Sequence, residues 1–197
     1  METLLAPFEF EFFRNGLAVA TLAGALCGLV GVYVVLKGMS YIGHGLSHAI
    51  FGGFAASALL GVNVFLGAGA WGVASALMIN GVTRRRVIGA DAAIGVITTA
   101  SFALGLALFA TFGGAGGGSF DAALFGSILG VASSDVWVVA GVLVFATGVV
   151  FARYRALLFT TFDPEVADVS GVSTARIDAL LMLVLAASIL ATMQVLG

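Results

Sequence analysis

Two histidines, His44 and His48, stand four residues apart in the uncharged stretch Met39 to Gly53, MSYIGHGLSHAIFGG. On a helix that spacing puts both imidazoles on one face, as two ligands of a single metal ion require. Ser47 lies beside His48, where its hydroxyl could orient the ring or line the same path. An ionisable group inside an apolar stretch is costly and marks a functional candidate. The pair is equally compatible with ordinary histidines, partly hydrated near the end of their helix. Asp91 opens the stretch GADAAIG. A carboxylate oxygen added to imidazole nitrogens suits zinc, manganese or ferrous iron. An Asp at a helix start also caps free N–H groups and meets the positive end of the helix dipole, and position alone favours that role.

A second constellation lies in the polar stretch Arg153 to Asp178, RYRALLFTTFDPEVADVSGVSTARID. Asp163, Pro164 and Glu165 form a helix start, with proline in the first turn and acids near the positive dipole end. Gly171 stops that helix after about two turns. The stretch is too polar to enter lipid and too short to be a domain. A short amphipathic helix displayed there is either a docking element for a cytoplasmic partner or a helical linker at the lipid surface.

The chain that must position these residues is 61% hydrophobic and 9% charged, with a mean hydropathy of +1.17, whereas soluble domains carry about a quarter of charged residues. Residues 1–197 therefore read as a single transmembrane domain of spans and loops. Net charge is −2 and no basic cluster exceeds Arg84 to Arg86, which excludes a nucleic-acid partner. Cys27, the single cysteine, can form no intrachain disulfide and reads as packing. The N-terminus, METLLAPFEFEFFRN, carries acids where a signal peptide carries positive charge, so no cleaved leader is expected.

The expected fold class is all-α, a polytopic transmembrane helical bundle, because open strand edges cannot satisfy their backbone groups in lipid. Gly16 to Leu36 and Ala92 to Phe112 are uncharged runs of 21 residues each, about the length that crosses a bilayer. Gly38 to Thr83 holds 46 residues free of Asp, Glu, Lys and Arg, enough for two spans, 41–61 and 63–82, with a turn near Gly61 to Asn63. Val136 to Ala152 and Ala179 to Gly197 bring the expectation to six spans, with a coupling loop over 153–178. Seven of the eight Lys/Arg residues, namely Lys37, Arg84 to Arg86, Arg153, Arg155 and Arg176, then share the cytoplasmic side, and the N-terminus lies outside. Ala122 to Ser134 has 13 residues between Asp121 and Asp135 and would invert the Arg153 loop if it crossed. It is expected to be a re-entrant or interfacial helix on the outer side, with the two aspartates as caps or solvated residues. The 28 glycines include small-residue patterns, Gly24, Gly28 and Gly31 or Gly141, Thr147 and Gly148, that predict close helix packing, with hinges between moving helices as the alternative.

Taken together, four stretches in this order resemble the zinc and manganese permeases of the ABC-3 family. VYVVLKGMSYIGHGLSHAIFGGFA resembles the signature around the family's second span, GADAAIG its acidic fourth span, FDAALFGSILGVASSDV its LFG-containing outer segment, and FTTFDPEVADVSGV its ATPase-docking loop. The resemblance covers nearly the whole chain. It implies a multi-pass permease of the plasma or inner membrane and a homodimeric or pseudo-dimeric core. It also implies a cytoplasmic ATP-binding subunit and an extracytoplasmic metal-binding protein as partners. On that resemblance His48, with Asp91 as a further candidate, faces the translocation path, and Phe162, Asp163, Pro164, Glu165, Ala167 and Gly171 belong to the ATPase-docking helix; His44 as a ligand and Ser47 in support are added by the spacing alone. No permanently bound cofactor is implied, only a transported divalent ion, zinc, manganese or iron. The chain has no GxxxxGK[ST] phosphate loop, so ATP hydrolysis is expected on a separate chain and the permease is not itself an enzyme.

Two departures qualify the resemblance. His44 stands where the family usually has Asp in GDALSHA, an exchange of oxygen for nitrogen expected either to shift preference toward softer ions or to abolish high-affinity coordination. Family members also usually continue for about two further spans, so the expectation is either a truncated product or a reduced variant that needs a partner to complete the pathway. A non-transporting scaffold subunit is the alternative function. An intramembrane metalloenzyme is a further one, needing a third ligand and a water-activating carboxylate near the histidines.

Overall fold

A computed structural model of the chain describes residues 6–39, 41–85, 88–112 and 130–196. Among these, after a short 3-10 turn at Ala6–Glu9, run eight α-helices: α1 (Glu11–Leu36), α2 (Ile42–Leu60), α3 (Val64–Arg84), α4 (Ala90–Phe112), α5 (Ser133–Ala152), α6 (Tyr154–Phe162), α7 (Pro164–Val169) and α8 (Thr174–Leu196). Arg86, Asp121 and the portion of the expected outer helix up to residue 129 lie outside the described residues.

Five helices are long and apolar enough to cross a membrane: α1, α3, α4, α5 and α8. Six spans were expected, and α2 is the one that does not reach that standard. Its 19 residues include two histidines, two serines and four glycines, which dilute its hydropathy. Yet α2 is central, packing most extensively against α4 and then α3, while α1 pairs with α5 and α8 joins the two groups. Ile42, Leu46, Ala49, Ile50 and Phe51 of α2 are almost wholly buried. Large apolar side chains such as Leu66, Trp137, Val144 and Phe151 instead point outward, as lipid-facing residues do.

Turn chemistry sets the α2–α3 hairpin. Gly61 takes a left-handed conformation at φ 65° to end α2, and the Asn63 side chain accepts the N–H groups of Phe65 and Leu66 to start α3. Asp135 receives the Ala132 N–H at 2.9 Å as α5 begins, so α5 starts earlier than expected, at Ser133. Likewise α8 begins at Thr174 rather than Ala179, and Tyr154–Phe162 is helical. Charged residues at helix ends can project beyond the apolar layer without interrupting the helix.

The glycine expectation is corrected. A Cβ placed on Gly24, Gly28, Gly31, Gly141 or Gly148 would meet nothing within 4 Å among the described residues. Close approach occurs within the α2–α3–α4 group: a Cβ on Gly52 would lie 2.6 Å from the Ser101 carbonyl oxygen, and one on Gly105 would lie 2.9 Å from the Gly52 Cα. Gly53 is pressed against Trp71, whose indole N–H donates to Ser101 Oγ at 2.9 Å and ties α3 to α4.

Lys37 at the end of α1 pairs with Asp178 of α8, and Arg84 at the end of α3 donates to Thr174 of α8. The ends of α1 and α3 and the start of α8 thus share one end of the bundle. At the opposite end Asn15 and Glu11 of α1 bond Ser133 at the start of α5.

Candidate functional site

The first two turns of α2 bring His44 and His48 together, with Nε2 to Nε2 at 3.1 Å and ring centroids 4.4 Å apart at 88°. One nitrogen must carry hydrogen and the other a lone pair for that bond to form. Two nitrogens at this spacing, each held about 2.1 Å from one ion, subtend about 95° at it, nearer to neighbouring octahedral ligands than to tetrahedral ones. His44 is exposed on the surface of the bundle and His48 is half-buried, so the pair opens sideways from the otherwise most enclosed helix.

Phe102 of α4 fixes His48 from the other side, with ring centroids 4.7 Å apart at 61°, and in turn lies 5.4 Å from buried Phe51. Sequence reasoning missed Phe102. The available signal was the stripe Ile94, Thr98, Phe102, Gly105 at helical spacing. Ser47 does not orient His48: its hydroxyl donates to the His44 carbonyl at 2.7 Å, inside the same helix.

Asp91 sits exposed in the first turn of α4. Gly45 faces Ile94 and Thr98 while Gly52 faces Ser101 and Gly105, so α2 and α4 run parallel. In that register Asp91 lies about one turn beyond His44 toward the end that carries Lys37 and Arg84. No group of three or more His, Cys, Asp or Glu residues among those described could hold a metal ion, so Asp91 does not join the histidine pair in this arrangement.

The second candidate region is α7. Asp163 Oδ1 accepts the Val166 N–H at 3.1 Å, Pro164 occupies the first turn, and Gly171 takes φ 86° beyond the end. Ala167 is buried against the bundle, whereas Phe162, Val166 and Val169 are turned outward, Val169 with 85% of its surface exposed. Asp163, Glu165 and Gly171 lie at the exposed rim. Asp168 bonds back to the start of α8: its carboxylate accepts the Thr174 N–H at 2.9 Å and the Thr174 hydroxyl at 2.8 Å. Those two hydrogen bonds, with a smaller effect from the Arg84 charge, hold its pKa below the ordinary carboxylate value.

Residues 9–197 match the ABC 3 transport family. The chain is 36% identical over 189 residues to the manganese transport system membrane protein MntC of Halalkalibacterium halodurans, covering 96% of this chain and 64% of that protein. Over 196 residues it is 34% identical to a probable iron transport system membrane protein of Haemophilus influenzae, covering 98% of this chain and 71% of that one. Its fold superposes on PsaBC from Streptococcus pneumoniae, solved in complex with Fab, with a TM-score of 0.80 at 32% identity, over all of this chain and 70% of that one. The chain thus spans roughly two thirds of the length of the curated relatives it matches, and with a match over nearly every residue it belongs to the ABC 3 transport family.

Proposed function

We propose that this chain is the membrane permease subunit of an ATP-binding-cassette importer of divalent metal ions. Manganese is the first cargo to test, because the relatives include manganese transport proteins, with iron and zinc as alternatives. The observation that carries the reading is the imidazole pair at 3.1 Å, open to the side of the helix at the centre of the bundle. In this reading α2 is a sixth crossing, the basic end faces the cytoplasm, and the N-terminus lies outside.

An extracytoplasmic binding protein delivers the ion, His44 and His48 receive it, and Asp91 meets it one turn nearer the cytoplasm. A second copy of the chain faces the open side of the pair and completes the path. A separate ATP-hydrolysing subunit docks on α7 against Phe162, Val166 and Val169, since apolar side chains exposed at the polar end of a bundle favour a protein partner.

The test is ATP-dependent manganese uptake into proteoliposomes that hold the chain with its ATPase and binding protein. His48→Ala is expected to abolish uptake while membrane insertion is retained. Unchanged uptake in that variant would remove His48 from the path. A wild-type complex that binds its ATPase but takes up no metal would favour the scaffold reading.

A further inference from the structure

The α7 end of the molecule contains two polar links between helices distant in sequence. Lys37 Nζ lies 2.7 Å from Asp178 Oδ1, with side chains only 14% and 23% exposed, and joins α1 to α8. The second link is a relay: the Asp168 carboxylate of α7 accepts both the N–H and the hydroxyl of Thr174, and Arg84 of α3 donates to the same hydroxyl oxygen at 3.2 Å. Thr174 is 5% exposed, whereas Asp168 and Arg84 reach it from the exposed surface.

Because Ala167 is the buried residue of α7, apolar contact holds this helix only lightly. The relay leads from α7 to α3, and α3 is in turn locked onto α2 through Trp71 against Gly53 and Gly72 against Ile50. Movement of α7 thus has a continuous route to the helix that bears the histidines. A cavity of about 530 Å³ lies beside the relay, lined by Asn80, Thr83, Arg84, Asp168, Thr174 and Asp178 among others. Thr83 Oγ1, on the same turn as Arg84, is buried with no hydrogen-bond partner among the described residues. A buried polar group without a partner calls for an explanation, and a second arrangement of the relay that satisfies it is one.

We propose that Asp168, Thr174 and Arg84 form a clasp that transmits movement of the docking helix to the histidine-bearing helix, with Lys37 and Asp178 as its fixed anchor. This rests on the permease reading. The three are positioning residues, since none touches the ion. Their hydrogen bonds can change partner within the cavity, whereas the close-packed α2–α3–α4 group moves as a body.

The experiment measures ATP hydrolysis and manganese uptake together in the reconstituted complex, for wild type, Thr174→Val, Thr174→Ser and Asp168→Asn. The expected result is that Thr174→Val and Asp168→Asn keep ATPase binding and hydrolysis while metal moved per ATP falls about tenfold, a change typical of lost coupling between sites. Thr174→Ser, which keeps the hydroxyl, restores the ratio. A wild-type ratio in both Thr174→Val and Asp168→Asn overturns the clasp. So does loss of uptake that only parallels loss of bound ATPase, because the residues would then serve the fold alone. Absence of uptake by the wild type overturns the permease reading, and the clasp with it.

Discussion

Around His48, backbone nearly touches backbone: Gly52 and Gly105 bring α2 and α4 together with no room for a methyl group, and Phe102 closes over the imidazole. At the α7 end side-chain polar links do the joining: Asp168 accepts from Thr174 and ties α7 to α8, and one well-shielded ion pair ties α1 to α8. Close-packed interfaces have few alternative arrangements, because any slide meets hard repulsion. Polar links beside a cavity can exchange partners at small cost. The molecule thus keeps its ion-facing side chains on a rigid group and its adjustable contacts where a partner would push.

The largest expected effect breaks the rigid half. Gly52→Val would force a side chain into the Ser101 carbonyl, where overpacking costs about 3 kcal/mol or more because the obstacle is backbone. The expected outcome is a marked fall in thermal stability in detergent, measured against Gly28→Ala as control. Among the described residues nothing lies within 4 Å of a Cβ on Gly28, so the control should match wild type or gain slightly from better helix propensity. Equal stability of the two variants would show that α2 and α4 are not in this close contact.

A smaller effect sharpens the adjustable half. Asp163→Ala removes the side chain that caps α7 and should cost that short helix about 1 kcal/mol, leaving the membrane helices intact. Proteolysis near Phe162 to Gly171 should accelerate while the melting temperature of the bundle stays put. A fall in the bundle's own stability would mean that α7 and the membrane helices unfold as one unit.

The contrast between the halves also marks what the sequence could reveal. The uncharged runs disclosed the long helices, because about 20 apolar residues have few uses besides crossing lipid. The His44/His48 pairing was legible because it is local to one helix. Whether Asp91 reaches it depends on the register between α2 and α4, which no single helix encodes. The glycines illustrate the same limit: spacing within α1 and α5 promised close packing, yet those faces open outward, while Gly52 finds its partner Gly105 on another helix. The start of α8 was missed because Arg176 and Asp178 looked like loop residues, and the Thr174 contact that begins the helix comes from Asp168, across a turn.

The smallest effect concerns pH at the clasp. In the folded chain the Thr174 hydrogen bonds lower the Asp168 pKa, so the ionised carboxylate is favoured by folding. Such a group contributes stability at pH values above its unfolded pKa, and that contribution is lost only as pH falls through the lowered folded value. The attachment of α7 to α8 should therefore be constant through neutral and mildly acidic pH and weaken only below the ordinary carboxylate range. Hydrogen exchange at the Thr174 amide, corrected for intrinsic rate, reads this directly, because that N–H donates to Asp168 Oδ1. Protection should persist to strongly acidic pH in the wild type and be reduced at every pH in Asp168→Asn. Loss of protection in mildly acidic solution would mean that the carboxylate gains nothing from Thr174, and α7 would then hang on the bundle through Ala167 alone.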